Sequence, residues 1–135
     1  MILNNVNLSK AQTTKKKHIV VDVPDFGVAT GSGEDAQIMV TEMTVAGYLR
    51  NSTLQRSIFE MQNIDDTRRT GLLMCAGLLS TMVCPDTGEF LFKEDDLDSF
   101  HSIIDRISLD SLLSAHGQLN PTREFKTLDT KKKSS

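Results

Sequence analysis

The stretch from Asp65 to Phe92, DDTRRTGLLMCAGLLSTMVCPDTGEFLF, constrains the fold more than any other part of the chain. Leu72, Leu73, Cys75, Ala76, Leu79, Met82 and Val83 recur at helical spacing and make one broad face. Met74 and Leu78 lie on the other side, so little is polar after Gly71, and a helix apolar nearly all round is one that its neighbours bury. The spacing predicts a core helix capped by Asp65 or Asp66 and halted by Pro85. A Pro-Asp-Thr-Gly turn and Phe90-Leu91-Phe92 then predict a strand or strand-like return into the core.

The flanking segments supply what packs around this helix. Residues 1–17 are polar, hold few large apolar groups and end in a lysine run, which predicts a flexible N-terminal arm. From His18 the pattern has period two, with Ile19, Val21 and Val23 on one side of a strand that ends at Pro24. Phe26 to Thr30 reads as a second short strand, and Ala36 to Met43 as another, with Ile38 and Val40 on one face. Thr41 or Thr44 caps the next helix, whose first apolar face is Val45, Tyr48 and Leu49. Beyond Asn51-Ser52-Thr53 the apolar positions become Leu54, Ile58 and Met61, about half a turn away. Either the helix breaks at Asn51-Ser52, or one helix carries two apolar faces. In the second case Leu54, Ile58 and Met61 are the candidate face for a partner or a second copy of the chain.

Leu97, Phe100, Ile103, Ile104 and Ile107 predict an amphipathic helix after the acidic start Glu94-Asp95-Asp96. Ser108 is expected to cap a last helix that carries Leu109, Leu112, Leu113, His116 and Leu119 and stops at Pro121. Residues 122–135 are polar and lysine-rich, a flexible C-terminal tail. The expected fold is α+β and mostly helical. A small antiparallel sheet or hairpin on the N-terminal side is followed by four to five packed helices, in one globular domain over residues 18–121.

Composition narrows the function by exclusion. A formal charge of -3 lacks the basic face that nucleic-acid binding needs. No run of about 18 apolar residues predicts a membrane span, and no apolar signal core precedes Lys15-Lys16-Lys17, so the expected compartment is the cytoplasm. Cys75 and Cys84, placed on one helix, would point to opposite sides, which predicts two free thiols. In Gly31-Ser32-Gly33-Glu34-Asp35 the glycines are followed by acids and not by Lys-Ser/Thr, so it is no phosphate loop. The cluster Glu94, Asp95, Asp96 and Asp98 does not follow calcium-loop spacing and reads as helix N-terminal charge. His18, His101 and His116 have no zinc-site spacing, and no nucleophile motif is present. No catalytic, cofactor or metal residue is expected, and the chain is not expected to be an enzyme.

Four patches carry a more specific message. They are the strand-to-helix junction Val40-Thr41-Glu42-Met43-Thr44-Val45-Ala46-Gly47-Tyr48-Leu49, the apolar helix Leu72 to Val83, and the turn Asp86-Thr87-Gly88-Glu89-Phe90-Leu91-Phe92. The fourth is the helix pair from Asp95-Asp96-Leu97 through Leu109-Asp110-Ser111-Leu112-Leu113 to Leu119-Asn120. In their order and spacing, across residues 18 to 120, they resemble the tail assembly chaperones of long-tailed, lambdoid bacteriophages with non-contractile tails. The resemblance implies a protein without catalytic residues that binds the long helical tape measure protein. It keeps that protein soluble and helps recruit tail tube subunits in the host cytoplasm, and it is absent from the finished virion. It also implies two products of one gene. A slippery adenine run encoding part of Lys131-Lys132-Lys133 would yield a longer, frameshifted form whose second domain contacts the tail tube protein. A homo-oligomer is expected through Leu54, Ile58 and Met61. Alternatives are another phage morphogenesis component, such as a head–tail connector or tail terminator, or a small non-enzymatic interaction module.

Overall fold

A computed structural model describes Ile2 and residues 17–121. Both expected terminal arms lie almost wholly outside these residues. Strand β1, His18–Asp22, buries Val21, and Val23 just beyond it is fully buried. It pairs antiparallel with β2, Gln37–Thr41, in the register Ile19↔Val40 and Val21↔Ile38. A short third strand, β3 (Met82–Val83), pairs antiparallel with the other edge of β2, giving the sheet order β1-β2-β3. Ile38 and Val40 face the core, as their period-two spacing predicts.

The segment between β1 and β2 is not the second strand expected from Phe26 to Thr30. It is a helix, α1, Pro24–Thr30. Pro24 occupies the first turn, where its missing N–H costs nothing and its fixed φ suits the helix. Gly31, at φ 81°, closes the helix. The turn delivers Phe26 to the core, where its ring meets Phe100 edge-on at 5.3 Å and Phe92 at 6.2 Å.

Helix α2 runs unbroken over Val45–Glu60, and α3 over Asp66–Leu79. Asp65 caps α3 by accepting from the Arg68 N–H at 2.7 Å. Leu72, Cys75, Ala76, Leu78 and Leu79 are all buried, so α3 is the core helix the sequence predicts. It ends earlier than expected. Ser80 forms its C-cap, and Met82 and Val83 leave the helix to extend the sheet. The return is observed as an isolated bridge between Val83 and Phe90.

A 3-10 turn at Glu94–Asp96 leads into α4, Leu97–Ile103. The expected helix through Ile107 breaks at Ile104, because Asp105 turns outward to cap α5, Arg106–Leu119. Its carboxylate accepts from the Ser108 N–H at 2.9 Å, so Asp105, and not Ser108, is the cap. Helix α3 packs against α2, α4 and α5, and α5 also covers β1 and β2. The result is the α+β, mostly helical architecture expected, with α3 at its centre.

Candidate partner-binding face

Helix α2 carries the candidate site, and its orientation reverses the expected roles of its two faces. Thr44 caps it, its hydroxyl accepting from the Gly47 N–H at 3.0 Å. Leu54 and Ile58 point inward, at 5% and 0% exposure, and belong to the core. The expected spare face of Leu54, Ile58 and Met61 therefore has its partner inside the domain for the first two residues. Met61 is at the helix end, partly exposed. The outward face is the other one. Val45, Tyr48 and Leu49 are 78%, 63% and 59% exposed, and Phe59, three turns on, is 59% exposed. At 100° per residue these four side chains share an arc of about 100° and run about 21 Å along the helix.

Arg50 explains the reversal. It lies on the inward side with Gly47, Leu54 and Ile58, and it is buried. Its guanidinium donates from Nη1 to the Leu79 carbonyl at 3.3 Å and from Nη2 to the Phe92 carbonyl. It also stacks 4.3 Å from the centre of the Phe90 ring. The Leu79 carbonyl belongs to the C-terminal end of α3, where the helix dipole favours a cation. Burial lowers the Arg50 pKa, and the charges of Glu94 and Asp96 oppose that shift, so the group stays cationic. A single arginine thus ties α2, the end of α3 and the return after the Gly88 turn together.

Beside Arg50 opens a groove of about 800 Å³. One wall is α2 with Leu49 and Thr53, and the other is Val83, Phe90 and Phe92. Thr41 and Thr44 also line it, together with Glu89, Lys93 and Glu94. An apolar stripe next to an apolar groove with a polar rim can take an amphipathic helix or an extended apolar segment.

The other residues singled out by the sequence are placed structurally. Asp96 accepts from the Lys93 N–H at 2.9 Å, and Asp98 pairs with Arg68 at 2.6 Å, which gives the arginine at the start of α3 an acidic neighbour. His101 and His116 pack against different turns of α3, beside Gly71 and Gly77. His116 Nδ1 lies 2.9 Å from the Thr81 hydroxyl, and burial lowers its pKa. Both cysteines are free. Cys75 is buried, which pushes its thiol up to about 11, whereas hydrogen bonds led by the Thr87 N–H lower the pKa of Cys84. Among the described residues no cluster of His, Cys, Asp and Glu is placed to hold a metal ion, and no helix is long and apolar enough to cross a membrane.

No family model matches the chain, and no curated protein matches it. A solved structure, the tail assembly chaperone of bacteriophage HK97, superposes with a TM-score of 0.54 over 83% of this chain and 95% of the other, at 16% identity. The two chains share a fold. The likeness to the HK97 chaperone spans nearly that whole protein.

Proposed function

We propose that this protein is a bacteriophage tail assembly chaperone that binds the tape measure protein and keeps its apolar helical stretches soluble. The fold shared with the HK97 chaperone is the observation that carries this reading. The outward stripe of α2 gives it a physical basis. Tape measure proteins are long chains with apolar helical faces, and an uncovered face of that kind aggregates. Val45, Tyr48, Leu49 and Phe59 are large apolar groups held in water by a helix whose other side is fully occupied. Covering each one contributes on the order of 1 kcal/mol. Association of a second copy through this face, action in the host cytoplasm and absence from the finished virion belong to the same proposal. So does a longer frameshifted form that engages the tail tube protein.

Co-expression with a phage tape measure protein tests the reading. The intact chain is expected to raise the soluble fraction of the tape measure protein and to co-purify with it. Tyr48→Glu combined with Phe59→Glu is expected to abolish both effects while leaving the far-UV circular dichroism unchanged. A tape measure protein equally insoluble with and without the chain would overturn the assignment.

A further inference from the structure

Strand β1 is the outer strand in the order β1-β2-β3, so β2 takes one of its sides and, among the described residues, no strand takes the other. The ladder to β2 fixes which backbone groups turn to that open side. The register that pairs His18 with Thr41 and Asp22 with Gln37 also sets Lys17 opposite Glu42 and Val23 opposite Ala36. At both of these outer positions the hydrogen bonds are made. The Glu42 N–H donates to the Lys17 carbonyl at 3.3 Å, and the Val23 N–H donates to the Ala36 carbonyl at 2.9 Å. Hydrogen-bonded residues alternate along an antiparallel strand. Lys17, Ile19, Val21 and Val23 therefore aim their N–H and C=O groups at β2, and His18, Val20 and Asp22 aim theirs at the open side.

The sequence of β1 matches a reversed copy of itself. Centred on Val20, an antiparallel pair sets Ile19 opposite Val21 on the core face. On the outer face it sets Val20 opposite Val20 and His18 opposite Asp22. Val20 is 52% exposed, and His18 and Asp22 are exposed as well. A parallel pair in register would instead set Asp22 against Asp22. Edge strands are commonly blunted by a lysine, a proline or a bulge, and His18–Asp22 contains no such residue and keeps an unbroken register. The centre of symmetry also falls on a residue whose backbone faces the open side, which an antiparallel two-fold pair requires for hydrogen bonds at its axis.

We propose that β1 pairs antiparallel with β1 of a second copy about a two-fold axis at Val20, so that the two sheets become one. Val20 exchanges two backbone hydrogen bonds with its counterpart, and each His18 faces Asp22 of the other copy. The Asp22 carboxylate accepts from Gln37 Nε2 at 2.7 Å through Oδ1, which leaves Oδ2 for the histidine of the other copy. The groove borders Val83 of β3, at the opposite end of the sheet. The pairing is therefore a surface separate from the groove, and it does not rest on the reading of α2 as the partner-binding face.

Sedimentation equilibrium of the full chain tests it. A strand of five residues makes a small interface, so the dimer is read at high micromolar concentration. It is expected in the wild type and equally in the chain carrying Tyr48→Glu and Phe59→Glu, which removes any association through α2. Val20→Pro is expected to give a monomer with unchanged far-UV circular dichroism. The Val20 N–H points away from β2, so proline there removes a bond between copies and none within the sheet. His18→Asp and Asp22→Lys each leave a self-pair without opposite charges, and each is expected to weaken association about fivefold. An equimolar mixture of the two is expected to restore it, because each aspartate then meets a lysine or a histidine. A wild-type monomer would overturn the proposal, as when residues of the same chain occupy the edge. So would a dimer that survives Val20→Pro. Where the proline unfolds the chain, the charge variants decide, and no recovery on mixing would overturn it. No tape measure protein is needed, so this test and the co-expression test fail independently.

Discussion

Leu79 shows how much one residue of the core helix is asked to do. Its side chain is fully buried, and its carbonyl receives Arg50. Truncating it removes apolar contacts and leaves a cavity that surrounding helices fill only in part. Leu79→Ala is therefore expected to lower the unfolding free energy by about 2–5 kcal/mol, read from urea denaturation. A loss below about 0.5 kcal/mol would mean that the site collapses freely, against the close packing of this helix. Arg50 illustrates the opposite case, a charged residue inside the fold. Two carbonyls and a ring face replace its water, although its Nε has no hydrogen-bond partner.

At the scale of elements, α2 passes close against the end of α3. A Cβ built on Gly47 would lie 2.4 Å from the Ser80 carbonyl oxygen, a backbone atom that cannot step aside cheaply. In an exposed helix, Gly→Ala would stabilise by about 1 kcal/mol. Here the clash pushes α2 off α3 and strains the hydrogen bonds of Arg50, a cost on the order of 1–3 kcal/mol. Gly47→Ala is thus expected to lower the melting temperature, and an increase would show that the two helices separate without penalty. The same junction fixes which way α2 faces, since Gly47 and Arg50 lie on its inward side with Leu54 and Ile58.

At the scale of the whole molecule, α3 touches three other helices, so it cannot be exposed without breaking most of the fold. The two cysteines report this directly. Thiolates are the reactive form, and Cys75 is both buried and held protonated, whereas Cys84 is half-buried with a lowered pKa. A thiol reagent at neutral pH is expected to modify Cys84 first. Cys75 should follow at a rate that tracks the global unfolding equilibrium as urea is added. Early modification of Cys75, before the circular dichroism changes, would place α3 in a locally opening region and contradict its central role.

Much of this architecture is written in local periodicity. The alternation of Ile19, Val21 and Val23, and of Ile38 and Val40, names the buried face of a strand without reference to anything else, because side-chain direction repeats every two residues. The run from Leu72 to Leu79 names a buried helix because no side of it suits water. Three features were not legible in this way. Pro24–Thr30 is too short for its apolar residues to show a period, and its helix follows from the proline at its start and the seat for Phe26. Met82 and Val83 continue the helical spacing of α3, and only the edge of β2, some forty residues earlier, draws them into a strand. The outward face of α2 stayed hidden for the same reason. Its inward side includes an arginine, which reads as surface until the Leu79 and Phe92 carbonyls and the Phe90 ring, 29 to 42 residues away in the chain, satisfy it. Which of two apolar faces meets water was decided by long-range partners for one cation, and no local pattern encodes those.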